Sequence, residues 1–71
     1  MIRIPTPESS RTKSVGYADQ VLEIEFRSDD SIWQYSDVPE LVWEAFRDSS
    51  SKGKFFNNII KKGGYIARKV G

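Results

Sequence analysis

Histidine and cysteine are both missing from this 71-residue chain. With them go the commonest general base, the strongest side-chain nucleophile and the preferred transition-metal ligands. Carboxylates and cations remain. Glu23 and Glu25 stand two positions apart, and Asp29 and Asp30 are adjacent. Two carboxyl groups divide acid and base roles only where their surroundings push the two pKa values apart. A domain this small, with no cleft marked out by its pattern, should leave all four solvated and ordinary. Gly63-Gly64 follows a helical pattern and lacks the Lys-Ser/Thr of a phosphate loop. The chain is therefore expected to be no enzyme and to hold neither metal nor cofactor.

The cations carry a stronger signal because they are unevenly placed. Residues 1–48 contain five Lys or Arg against ten Asp or Glu, a balance of −5, and residues 49–71 contain six and no acid, a balance of +6. Lys52, Lys54, Lys61, Lys62, Arg68 and Lys69, with Asn57 and Asn58 among them, combine phosphate-attracting charge with amides that can add hydrogen bonds. That set suits RNA or another nucleic acid. It equally suits a solvated helix face that balances the acidic first half of the fold. Ser51 and Gly53 lie where the free amides of a helix N-terminus could hold an anion between Lys52 and Lys54; the plainer use of Ser51 is as a helix cap. Trp43 falls at the edge of an apolar arc, next to acidic residues. Partly exposed there, it would suit a protein partner, since Trp is enriched among interface anchors.

These residues have to be positioned by secondary structure that the pattern outlines. Ser14 to Tyr17, Val21 to Phe26 and Ile32 to Tyr35 alternate as half-buried strands do, with turns at Ala18–Gln20 and Ser28–Ser31. Two-residue turns centred on Asp19-Gln20 and Asp29-Asp30 would pair Tyr17 with Leu22, Val15 with Ile24, Phe26 with Trp33 and Ile24 with Tyr35. All seven of those residues then share one face, which must be the core. Glu23 and Glu25 look the other way, on a face that also carries Val21 and Ile32. Trp33 and Tyr35 are accordingly expected under helices, not stacked on bases.

Asp37-Val38-Pro39-Glu40 reads as a helix start with an acidic cap and early proline. Val38, Leu41, Val42, Ala45 and Phe46 then recur at helical spacing, with Glu40, Glu44, Arg47 and Asp48 outside the arc. A second helix after Ser51 turns Phe55, Phe56, Ile59 and Ile60 inward and Lys54, Asn57, Asn58 and Lys61 outward, until Gly63-Gly64 ends it. Residues 65–70 read either as a fourth strand or as a basic tail.

The expected class is α+β: a three-stranded antiparallel meander followed by two helices on one face, with a short C-terminal strand as an option. Residues 1–8, with Pro5 and Pro7, read as an extended lead-in of low order, and 9–71 as one domain. A chain this short buries only about 60% of its unfolded surface, and it has no disulfides or zinc to brace it. Its nine aromatic residues must carry the core. The N-terminus lacks the apolar stretch of roughly 7 to 15 residues of a signal peptide, and no segment approaches a membrane span. A cytoplasmic protein without membrane contact is expected.

One resemblance adds to this reading. Ser14-Val15-Gly16-Tyr17, Leu22-Glu23-Ile24-Glu25-Phe26, Val38-Pro39 and above all Ser51-Lys52-Gly53-Lys54-Phe55-Phe56-Asn57 resemble the KTSC domain across about residues 9 to 70. That family is named for the C-terminal region of some lysyl-tRNA synthetases and also occurs as small free-standing bacterial proteins. Its central tyrosine-x-tyrosine stands here as Trp33-Gln34-Tyr35, a departure that keeps an aromatic in the first position. The resemblance implies an RNA-binding role by association with a tRNA-charging enzyme. The working expectation is a non-catalytic binding module for RNA or another nucleic acid, with protein interaction through the acidic helix or the open sheet face as the alternative.

Overall fold

The computed structural model describes residues 1–71. Five antiparallel strands form one sheet in chain order: β1 (Arg3–Pro5), β2 (Thr12–Ala18), β3 (Val21–Phe26), β4 (Ile32–Tyr35) and β5 (Ala67–Lys69). Helix α1 (Glu40–Asp48) and helix α2 (Lys52–Phe55) lie between β4 and β5, and α2 runs on as a π-helical segment, Phe56–Lys61. The α+β expectation holds, with two strands added.

One addition is β5, which answers the open question about residues 65–70. The other is β1, which replaces the loose lead-in expected at residues 1–8. It pairs Arg3 with Gly16 and Ile4 with Val15. Prolines at an edge lose no ladder bond, so Pro5 does not forbid the strand. Behind it Thr6 is buried, and its Oγ1 donates to the Thr12 carbonyl at 2.9 Å. Arg3 crosses Gly16 on its way to Glu23, 3.6 Å from its carboxylate. A Cβ on Gly16 would sit 3.0 Å from the Arg3 stem and 2.8 Å from the Ile2 carbonyl oxygen.

The first hairpin has the expected register: Asp19 and Gln20 both take positive φ, 51° and 63°, and Tyr17 pairs with Leu22. Such twin left-handed residues are what a two-residue turn between twisted strands demands. The second hairpin differs from expectation. Ile24 pairs with Trp33 and Leu22 with Tyr35, two positions from the pairing that an Asp29-Asp30 turn would give. Asp29 Oδ1 accepts bonds from the Ser31 backbone N–H (3.1 Å) and Oγ (2.6 Å), and the Phe26 N–H donates to the Ser31 carbonyl. This side-chain-closed turn is wider than two residues. Because the slip is an even number, every side chain keeps its face.

Val15, Leu22, Ile24 and Tyr35 are buried on that face, beneath Val38, Trp43, Phe46, Phe56 and Ile60. Tyr17, Phe26 and Trp33 pack at its margin. Helix α1 starts later than the pattern suggests, with Pro39 at its N-cap and no side-chain cap; Asp37 is left-handed at φ 59°. The residue before a proline avoids helical geometry, so Val38 stays extended and plugs the core from outside the helix. The helix then rests on Trp43 and Phe46. Leu41, expected inside, is 79% exposed, and Ala45 is exposed as well.

The π-helical stretch alters the second helix in the same way. Its wider i→i+5 winding keeps Phe56 and Ile60, four apart, on the buried line and swings Ile59 outward to 43% exposure. Phe55 is only half-buried.

Candidate nucleic-acid interface

Lys54, Lys61, Lys62, Arg68 and Lys69 are all exposed and make no ion pair, and Asn58 is exposed beside them. Asn57 is half-buried and lines a polar hollow of about 350 Å³ with Lys54. Lys52 departs from the expected set. It is 8% exposed, and its ammonium donates to Glu8 Oε1 at 3.2 Å and to the Ser49 carbonyl at 3.1 Å. Its i, i+4, i+8 relation to Phe56 and Ile60 puts it on the inward line of the helix, where a long stem packs and the charge reaches out to a partner. Glu8 is held below the ordinary carboxylate range by a backbone bond and by Lys52.

Arg68 also parts from the others. It pairs with Gln34, while Ala67 pairs with Tyr35 and Lys69 with Trp33. Opposed residues share a face, so Lys69 lies on the helix side of the sheet and Arg68 on the open side. There it ends a row Arg3, Gly16, Glu23, Gln34, Arg68 across all five strands. The two open-face acids are engaged: Gln34 donates to Glu23 and Ser14 Oγ to Glu25, each at 2.9 Å. They are half-buried ladder partners, not a solvated pair.

Sequence reasoning did not find the groove beside Lys61. The helical segment leaves one end of the sheet uncovered, and a groove of about 370 Å³ opens there. Trp33, Tyr35, Phe26, Phe56 and Tyr65 wall it, with Arg11 and Lys61 among its lining. Arg11 lies 5.5 Å over the Phe56 ring and makes no ion pair. A second hollow, about 550 Å³, continues from it past Arg11 to Arg27 and Ser10. Arg11 carries no periodic signal because it stands in the irregular run before β2. Asp29, at the groove, is held below the usual carboxylate range chiefly by the Ser31 hydroxyl, with Lys69 contributing.

The two ends of β3 carry different groups. The Asp19-Gln20 turn touches the start of α1, where the Val38 N–H donates to the Gln20 carbonyl at 2.8 Å. Asp19, Asp37 and Glu40 are exposed at that end. Successive turns of a meander lie at opposite ends of their shared strand, so the groove at residues 28–31 is at the far end, with Arg11 and Lys61.

Two expected sites lose their premises. Trp43 is 8% exposed and stacks on Tyr17, centroids 5.5 Å apart and planes 5° from parallel, so it is core and not a free partner anchor. A roughly 100° step per residue placed it at the arc's edge, but the late helix start turned the arc toward it. Ser51 makes no side-chain cap bond; its carbonyl accepts from the Phe55 N–H, and Ser49 Oγ accepts from the Ser51 N–H. The cation expected to assist an anion between Ser51 and Gly53 is the one bound to Glu8.

Comparison with known proteins gives consistent results. The model of the KTSC domain family matches residues 8–65. An uncharacterised protein of Stutzerimonas stutzeri (strain A1501) is 38% identical over 56 residues, 76% of this chain and 78% of the relative. The crystal structure of a KTSC domain protein from Yersinia pestis superposes with a TM-score of 0.87 at 43% identity, over 99% of this chain and 97% of that one.

Proposed function

The chain belongs to the KTSC domain family, and from that premise we propose that it is a small non-catalytic module that binds RNA or another nucleic acid. The contacts run through Lys54, Asn57, Asn58, Lys61, Lys62 and Lys69, with Arg11 added. Arg68 on the open face extends the surface around the edge strand β5. One observation carries the reading: five exposed cations of the C-terminal third have no acidic partner, while four other cations, Arg3, Lys13, Arg47 and Lys52, do. Five exposed cations without acidic partners, spread over the second helix, its end and β5, make a field that attracts a polyanion.

Binding then releases counterions. Five phosphates neutralised on a single strand give a slope of about −3.5 for log K against log salt. Exchanging both Lys54→Glu and Lys61→Glu should flatten the slope toward about −2 and weaken binding to every sequence alike. Fluorescence anisotropy with labelled RNA and DNA pools across salt concentrations measures this. No salt-sensitive binding to any pool would end the proposal.

A further inference from the structure

Seven of the nine aromatic rings pair with another ring: Tyr17 with Trp43, Phe26 and Tyr35 with Phe56, and Phe46 with Phe55. The two without a ring partner are Trp33 and Tyr65, and both line the groove beside Lys61. Tyr35 lines it too. It is 6% exposed, and its hydroxyl makes no hydrogen bond within the protein, whereas the Tyr17 hydroxyl donates to the Val38 carbonyl at 2.6 Å. The Tyr35 hydroxyl itself is not sealed from solvent, which leaves it able to donate to a molecule in the groove. The rim supplies the Arg11 guanidinium and the Lys61 ammonium, neither of them ion-paired.

Two half-exposed rings without a ring partner, a phenol hydroxyl without a protein partner and unpaired cations within one groove of about 370 Å³ match the chemistry of a nucleotide: a flat π-surface with hydrogen-bonding edges, joined to an anion. We propose that this groove takes one unstacked base of a single-stranded nucleic acid, laid against Trp33 and Tyr65, with Tyr35 donating to the base edge and Arg11 and Lys61 meeting the adjoining phosphates. This rests on the nucleic-acid reading above and narrows it to single strands, because a base inside a duplex cannot reach a ring. Asp29 is the one acid in the lining. Its Oδ1 is committed to Ser31, and its other oxygen can accept from an exocyclic amino group. The backbone field alone would not discriminate between single strand and duplex; the groove does.

The full chain carrying Trp43→Phe leaves Trp33 as the sole indole. Its emission is followed while a short single-stranded RNA, the same strand with abasic sites, the matching duplex and inorganic phosphate are added. The single strand should quench Trp33 and bind about tenfold more tightly than the abasic strand, in line with stacking of about 1–3 kcal/mol per base. Tyr35→Phe should weaken the single strand several-fold and leave the abasic strand unaffected. Equal, salt-sensitive binding of abasic and intact strands without quenching would overturn the base site and leave the phosphate-binding reading standing. Binding of none of them would overturn both. A Trp33 shift that tracks protein concentration alone would assign the groove to a second copy of the chain and overturn the base site.

Discussion

Trp43 and Tyr35 show how much a single ring's neighbours decide. Trp43 closes the core against Tyr17, so Trp43→Ala should cost about 3–5 kcal/mol, a large part of what a domain this small possesses. Urea denaturation should find it largely unfolded, and a midpoint near the parent's would mean that the indole is peripheral after all. Tyr35 is subtler. Burial pushes its hydroxyl up to about 12, against a small opposing pull from Arg11. The unfolded chain loses this proton near pH 10, while the folded one keeps it, so the folded state binds more protons over that interval. Stability is therefore fully present below about pH 10 and falls as pH rises toward 12. Denaturation midpoints at pH 9 and 11.5 should show a smaller alkaline loss in Tyr35→Phe than in the parent. An equal loss would place the hydroxyl in water.

Among the elements, the π-helical segment and the turn after it shape the groove. Gly63 has room for no side chain: a Cβ there would fall on the Ile59 carbonyl and press 2.7 Å from the Tyr65 ring. Tyr65 thus lies against a bare backbone, which holds it at the groove wall. Gly64 follows at φ 77°, the left-handed turn that sends the chain toward β5. Gly63→Ala should overpack this corner at a cost of about 1–3 kcal/mol, lowering the melting temperature by roughly 4–8 °C per kcal/mol. Calorimetry reads the shift, and an unchanged melting temperature would show that Tyr65 can simply move aside.

For the molecule as a whole, the N-terminal residues matter more than their composition suggests. They supply β1, the buried Thr6 and, through Glu8, the partner that neutralises Lys52. Removing residues 1–7 should strip the outer strand from β2 and lower stability by more than about 2 kcal/mol, several net hydrogen bonds' worth. An unchanged urea midpoint in the shortened chain would make β1 a passive addition. Asp19, Asp37 and Glu40 stand at one end of β3, while at the other Arg11 and Lys61 share the end with Asp29 and Asp30. The small net charge, +1, conceals an acidic first 48 residues and a basic remainder, whose fields added salt would screen together.

The sequence by itself determined the α+β class, the core face of β2 to β4, the first hairpin's register and the unbalanced cations. Each of these follows from near-neighbour physics: alternation fixes a face, a tight turn fixes a pairing, and charge is counted residue by residue. The tertiary structure alone decided that Lys52 turns inward to Glu8, that Trp43 is core while Leu41 is not, that Arg68 leaves the basic helix side, and that residues 3–5 form a strand. It also decided the groove. Its walls come from β3, β4, the π-helical segment and the turn before β5, with Arg11 from outside any strand. No local pattern can express a gap left where elements distant in sequence fail to cover one another.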